Sequence, residues 1–205
     1  FVSSRYGLAG LILLLLVVIP AVFAPVFAPA DPFALGAKPF LRPGSSGHTL
    51  GTDHLGRDVL SQILFGARIS LEVGLVAAGI AAVVGIIVGS VSGYFGGWLD
   101  VLLSRVTDMF LIIPAFFLII IVVATLGSGI LYVMVVIGLT SWPANARLMR
   151  AQVLTLRERT FIHGLTALGE SRFRILTRHI IPNGIQPVIT NSTLLIAAAV
   201  LTEAS

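Results

Sequence analysis

The sequence predicts an all-α fold, a polytopic bundle of transmembrane helices, and three observations carry that prediction. Apolar residues make up 57% of the 205 and charged residues only 11%. Mean hydropathy is +1.03, outside the range in which a soluble domain hides its apolar surface in a core. The apolar residues also fall in long runs, of about 18 or more, the length that crosses a hydrocarbon layer about 30 Å thick.

The first run is 8–27, "LAGLILLLLVVIPAVFAPVF", with Arg5 ahead of it. A secretory signal carries a shorter apolar stretch, and more spans follow here, so the run is read as a span. Residues 1–28 thus form an N-terminal segment with the first span. Residues 29–68 form a Pro- and Gly-bearing loop of mixed charge, with no helical period until Asp58. A transmembrane core then occupies 69–205.

Within that core the second span is 69–94. Ala81, Gly85, Gly89 and Gly93 recur every four residues on it, giving one helix face on which another helix can approach closely. "GYFGGW" at 93–98 is a turn, and the third span, 99–126, contains Pro114. "TLGSG" at 125–129 turns the chain into the fourth span, 130–146, which carries Trp142 and Pro143. The fifth span is 180–202, with Pro182 and Pro187 near its start. Its polar residues Asn183 and Asn191, and Glu203 just beyond, are candidate pathway or gating groups. Five spans are visible, and a sixth is expected beyond Ser205.

Charge sets the orientation. Residues 147–178 hold seven arginines against Glu158 and Glu170, a net of 7 − 2 = +5 against +4 for the whole chain. Positive loops stay in the cytoplasm, so this strip is predicted to be cytoplasmic. Counting back four spans puts the amino terminus inside and the 28–67 loop outside. Inside the strip Phe161, Ile162, Leu165 and Leu168 form one apolar face of a short helix. Gly169 follows, where a left-handed turn is easiest. Such a basic amphipathic helix can lie on anionic lipid or fit a groove on a partner protein, and the residues alone leave both open.

Here the chain resembles a known family. "FIHGLTALGESRFRILTRHIIPN" is similar to the cytoplasmic loop signature of ABC-importer permeases, with Gly169 as its glycine and Pro182-Asn183 as its closing pair. The usual Glu-Ala-Ala is replaced by His163-Gly164-Leu165. "HTLGTDHLGRDVLSQILFGARISLEVG", 48–74, together with "SGYFGGWLD" and "SRVTDMFLIIP", resembles the dipeptide, oligopeptide and nickel branch. The resemblance implies a type I ABC-importer fold in a bacterial or archaeal cytoplasmic membrane. It also implies a second homologous permease, two ATP-binding subunits and an extracytoplasmic substrate-binding protein. The helix at about 158–171 would dock on an ATPase. Phe161, Ile162, Leu165 and Leu168 would be its anchors, Gly169 its turn, and Arg157 and Arg172 its flanking charges. Peptide, nickel or another small solute remains open as cargo.

Other groupings have plainer readings. The chain has no cysteine, its only lysine is Lys38, and no G-x-x-x-x-G-K-[ST] occurs. No phosphate cradle of its own is expected, so ATP and Mg²⁺ would belong to partners. No catalytic group, metal site or nucleic-acid surface is predicted. Asp53, His54, Arg57 and Asp58 lack zinc-type spacing and read as loop bracing, with Asp53 or Asp58 capping the next helix. Arg105 and Asp108 have the spacing of a same-helix ion pair. His163 and His179 are isolated, and Glu72 reads as a solvated carboxylate. An ion-driven transporter would place ionisable groups at mid-span, and none is securely there. A structural subunit without a conduit is the third class.

Overall fold

The elements seen in a computed structural model are helical throughout, and among the described residues only two isolated β-bridges occur. Residues 5–35, 37–45, 47–127 and 129–203 are described. Ser128, in the expected turn at 125–129, lies outside them, as do residues 1–4 and 204–205. The chain divides into two units, Phe1–Glu72 and Val73–Ser205.

The first unit holds α1 (Arg5–Val22), α2 (Ala24–Phe27) and the start of α3 (Val59–Phe95). Between them the loop is braced by side chains. The Thr52 hydroxyl accepts from the Leu41 N–H at 2.9 Å and donates to the Lys38 carbonyl at 2.7 Å. Gly51 has φ +80°, and a Cβ there would sit 2.2 Å from the Leu41 oxygen, so only glycine fits.

In the second unit α3 continues to Phe95, followed by α4 (Gly97–Ile112), α5 (Ala115–Leu126) and α6 (Ile130–Arg157). After these come α7 (Thr160–Ala167), α8 (Arg172–Arg174), a π-helical turn (Ile175–Ile180), α9 (Ile181–Gly184) and α10 (Gln186–Glu203). The glycine line on α3 meets α6. A Cβ on Gly85 would lie 2.5 Å from the Asn145 Cβ, and one on Gly93 3.0 Å from the Val153 Cβ. The core gathers Met149 and Val153 of α6, Ile162 of α7, Ile175, Leu176 and Ile180 of the π-helical turn, and Val188 of α10. A smaller cluster joins Ala81, Trp142 and Ala146, with the Phe110 ring edge-on to Trp142 at 5.3 Å.

The helices differ from the expected spans in three places. The third was read as continuous over 99–126, but it breaks between α4 and α5 with a 75° bend. Pro114 disfavours helical backbone at the residue before it, and Ile113 is extended at φ −76°, ψ 117°. The fourth was expected to end at 146, yet α6 runs on to Arg157 with Pro143 inside it. The fifth, 180–202, is interrupted near Ile185 with a 56° bend. Ahead of Pro182 the turn widens, with the Ile181 N–H bonded to the Leu176 carbonyl. A proline cannot donate, and its ring crowds the carbonyl four residues back.

Two helices, α1 and α3, are long and apolar enough to cross a membrane, and counting each bent pair as one span brings the number to four. Helix α6 is outside that set.

Candidate functional site

The basic strip is not a loop along its whole length. Its first third, 147–157, completes α6, and the arginines there are tied down. Arg150 grips Asp100 of α4 with a two-pronged bond, Nε to Oδ1 at 2.7 Å and Nη2 to Oδ2 at 2.6 Å. Ser92 of α3 donates to the same carboxylate, and Ser104 does so at 3.3 Å. Asp100 lies in the first turn of α4, where exposed N–H groups favour a negative charge. Two turns beyond Arg150, Arg157 donates from Nη1 to the Gly93 carbonyl at 2.8 Å, supplying a partner that the end of α3 lacks within its own helix.

The expected Arg105–Asp108 pair does not form. Asp108 instead accepts from Arg147 Nη2 of α6 at 2.7 Å, and Arg105 makes no ion pair among the described residues. A cavity of about 360 Å³ lies among α3, α4 and α6, with Ser92, Ser104, Asp108, Arg147 and Arg150 on its wall.

Beyond Arg157 the short helix α7 begins after Arg159. Its far end closes with the Glu170 N–H on the Leu165 carbonyl and the Gly169 N–H on Thr166, with Gly169 at φ +79°. That paired closure is the Schellman ending expected of glycine.

The three apolar anchors expected on α7, Phe161, Ile162 and Leu165, and Leu168 at its C-terminal cap do not share one outward face. Ile162 is 3% exposed in the core cluster, and Leu165 packs against it. Phe161 is 48% exposed and Leu168 85%. Two of the four therefore root the helix in its own chain, and Phe161 and Leu168 are left at the surface. Arg157, Arg172, Ile162 and His163 meet around a second cavity of about 320 Å³ at the foot of α7.

Of the suggested pathway groups, Asn191 sits in a polar node that sequence reasoning missed. Asn145 of α6, fully buried, accepts from Asn191 at 2.9 Å and donates to Ser192 at 3.2 Å. The signal was present as an amide inside an apolar run beside Trp142-Pro143. Asn183 of α9 donates to the His179 carbonyl of the preceding π-helical turn at 2.6 Å, and Glu203 is half-buried at the end of α10. These two and Asn191 are not brought to one site.

In the loop of the first unit, Asp58 caps α3 by accepting from the Ser61 N–H at 2.7 Å, and its other oxygen meets His48 Nδ1 at 2.8 Å. Asp53 accepts from the backbone of Leu55 and Arg57 and from the side chains of Arg57 and Gln62. Burial pushes both carboxyls up. The donors outweigh it, Arg57 N–H and Gln62 for Asp53 and Ser61 and His48 for Asp58, and hold each below the usual carboxylate range. The oxygens are committed to holding the loop.

Comparison with known proteins fits this geometry. The model of the family described as "binding-protein-dependent transport system inner membrane component" matches residues 83–205. The chain is 35% identical to a dipeptide transport system permease protein of Alkalihalophilus pseudofirmus, over 99% of this chain and 67% of that protein. It is 33% identical to an oligopeptide transport system permease protein of Bacillus subtilis, over 100% and 67%. Against a glutathione transport system permease protein of Escherichia coli the identity is 39%, over 100% and 68%. By the family match and by relatives aligned along the whole of it, the chain belongs to the inner-membrane components of binding-protein-dependent transport systems, the permeases of ABC importers.

Proposed function

We propose that this chain is one permease subunit of an ATP-driven importer of peptides and forms half of a translocation pathway with a second, homologous permease. Two ATP-binding subunits drive it and hold the ATP and Mg²⁺, and an extracytoplasmic binding protein delivers the cargo. Helix α7 is the contact with the ATPase. The observation that carries this reading is the division of its apolar residues, with Ile162 and Leu165 anchored in the core and Phe161 and Leu168 exposed. A helix rooted in this way transmits force, whereas one floating on lipid turns its whole apolar face to the membrane. In this topology α6 counts as a fifth span of a type I permease, and residues 147–178 and the amino terminus face the cytoplasm. Peptide cargo is supported by the named transport of the three relatives.

The test is reconstitution in vesicles with the ATPase subunits, the second permease and the binding protein. Uptake of labelled dialanine, pentaalanine or glutathione should require ATP and all partners. Uptake by this chain alone, driven by a proton or sodium gradient, would overturn the proposal.

A further inference from the structure

We infer that the Asp100–Arg150 bond is the mechanical link through which movement of α7 reaches α4, which makes both side chains positioning residues of the transport cycle. This rests on the importer reading above.

Helix α7 is fixed to the C-terminal half of α6, because Ile162 shares one buried cluster with Met149 and Val153. That half of α6 therefore moves with α7 as one body. Its polar side chains reach out to other helices, Asn145 to α10, Arg147 and Arg150 to α4 and Arg157 to α3. Arg157 binds the Gly93 carbonyl of α3, but α3 already lies against α6 along Gly85, Gly89 and Gly93, where a Cβ would come within 3.0 Å of α6 atoms. Contact there is broad, and Arg157 only caps it.

Helix α4 is held differently. The cavity of about 360 Å³ opens beside the α4–α6 contact at the level of Asp100, so apolar packing does not fill that space. Apolar contact between the two helices is made by Val106 and Phe110 against Trp142 and Ala146, and at the level of Asp100 load passes through polar bridges. Of these the Arg147–Asp108 bond is single, with side chains 60% and 49% exposed, and exposed pairs of this kind hold weakly. The Asp100–Arg150 bond is bidentate and its carboxylate is only 18% exposed. A planar fork on a carboxylate resists twisting as well as separation, which a lysine could not do. Further along, α4 meets α5 at the 75° break beside Pro114, so a pull at Asp100 acts at the far end of a short helix that is joined to α3 through Gly96 and bends where it meets α5.

The test uses the complete importer in vesicles, with ATP hydrolysis and uptake of dialanine, pentaalanine or glutathione read from the same sample. Asp100→Asn should lower the cargo moved per ATP about tenfold while hydrolysis continues, because the charge that completes the fork is lost. Reversing both charges, Asp100→Arg with Arg150→Asp, should recover most of that ratio. Arg68→Gln, which breaks the exposed Arg68–Glu72 pair of α3, should leave it unchanged. A pair that only stabilised the fold would reduce the amount of complex and not the ratio. An unaltered ratio in Asp100→Asn therefore overturns the inference. If that variant does not assemble, Arg150→Lys decides: it keeps the charge but loses the fork, and a normal ratio there overturns the inference equally. Absence of any ATP-dependent uptake by the unaltered complex would instead sink the importer reading, and the inference with it.

Discussion

Gly89 and Ala146 touch backbone to backbone: a Cβ on Gly89 would lie 2.3 Å from the Ala146 carbonyl oxygen and 2.8 Å from the Met149 Cβ. Helix backbone on both sides cannot yield as a flexible side chain can. Gly89→Ala should therefore destabilise the protein by about 1–3 kcal/mol, the usual cost of overpacking. Gly79→Ala, on the same helix with nothing within 4 Å, should be neutral or slightly stabilising, since alanine is the better helix former. Thermal unfolding of the two variants in detergent gives the comparison, and equal shifts would contradict the packing described.

The buried amide node predicts a second asymmetry. Asn145→Leu removes the partner of both Asn191 and Ser192, and should cost about 1 kcal/mol, the scale of polar contacts within a membrane bundle. Thr155→Val, which removes an exposed hydroxyl bonded only to its own helix, should cost less than half of that. Melting curves in one detergent check both.

The loop before α3 should respond to acid. The Asp53 and Asp58 carboxyls lie below the ordinary 3.8 when folded. A depressed group adds stability that is fully present above 3.8 and is lost as pH falls through the folded value. His48 opposes that loss only while Asp58 stays ionised. The loop should resist pepsin just below pH 5 and open progressively at pH values below about 4. Asp58→Asn should open it without acid, and unchanged digestion of that variant at pH 5 would contradict the bracing role.

Leu165 on α7 and Leu168 at its C-terminal cap, three residues apart, should fail in different ways. Leu165 is half-buried and packs against the core, so Leu165→Asp sets a charge against apolar neighbours and should cost about 1–3 kcal/mol, seen as loss of protein from the membrane. Leu168 is 85% exposed, so Leu168→Asp should leave the amount unchanged and abolish ATP-coupled uptake. Loss of both variants from the membrane would show that Leu168 is also a folding residue.

Much of this was legible in the residues, and the misses share a physical cause. The left-handed turn at Gly169, the cap at Asp58 and the small-residue face of α3 were each readable, because each depends on a local property of one residue type. What was hidden was direction. In a chain this apolar nearly every helix face carries hydrophobic residues, so the pattern on α7 could not show that Ile162 faces inward and Leu168 outward. Asp108 was paired with Arg105 on spacing alone, and nothing local announces that Arg147, 39 positions away, is nearer. The break at Pro114 was a matter of degree. Proline inside an apolar run can be absorbed as a kink, and here it turns the chain by 75°.

The central claim is that the exposed side of α7 meets an ATP-binding subunit in the cytoplasm. Residues 1–205 contain no cysteine, so Leu168→Cys places one defined thiol among them that can be cross-linked in the assembled importer, with the unaltered protein as the background control. A covalent adduct with the ATPase subunit is expected from Leu168→Cys and from Phe161→Cys, and none from Ile162→Cys, whose position is buried. Labelling of Leu168→Cys by a membrane-impermeant reagent added outside intact cells, with no ATPase adduct, would contradict it.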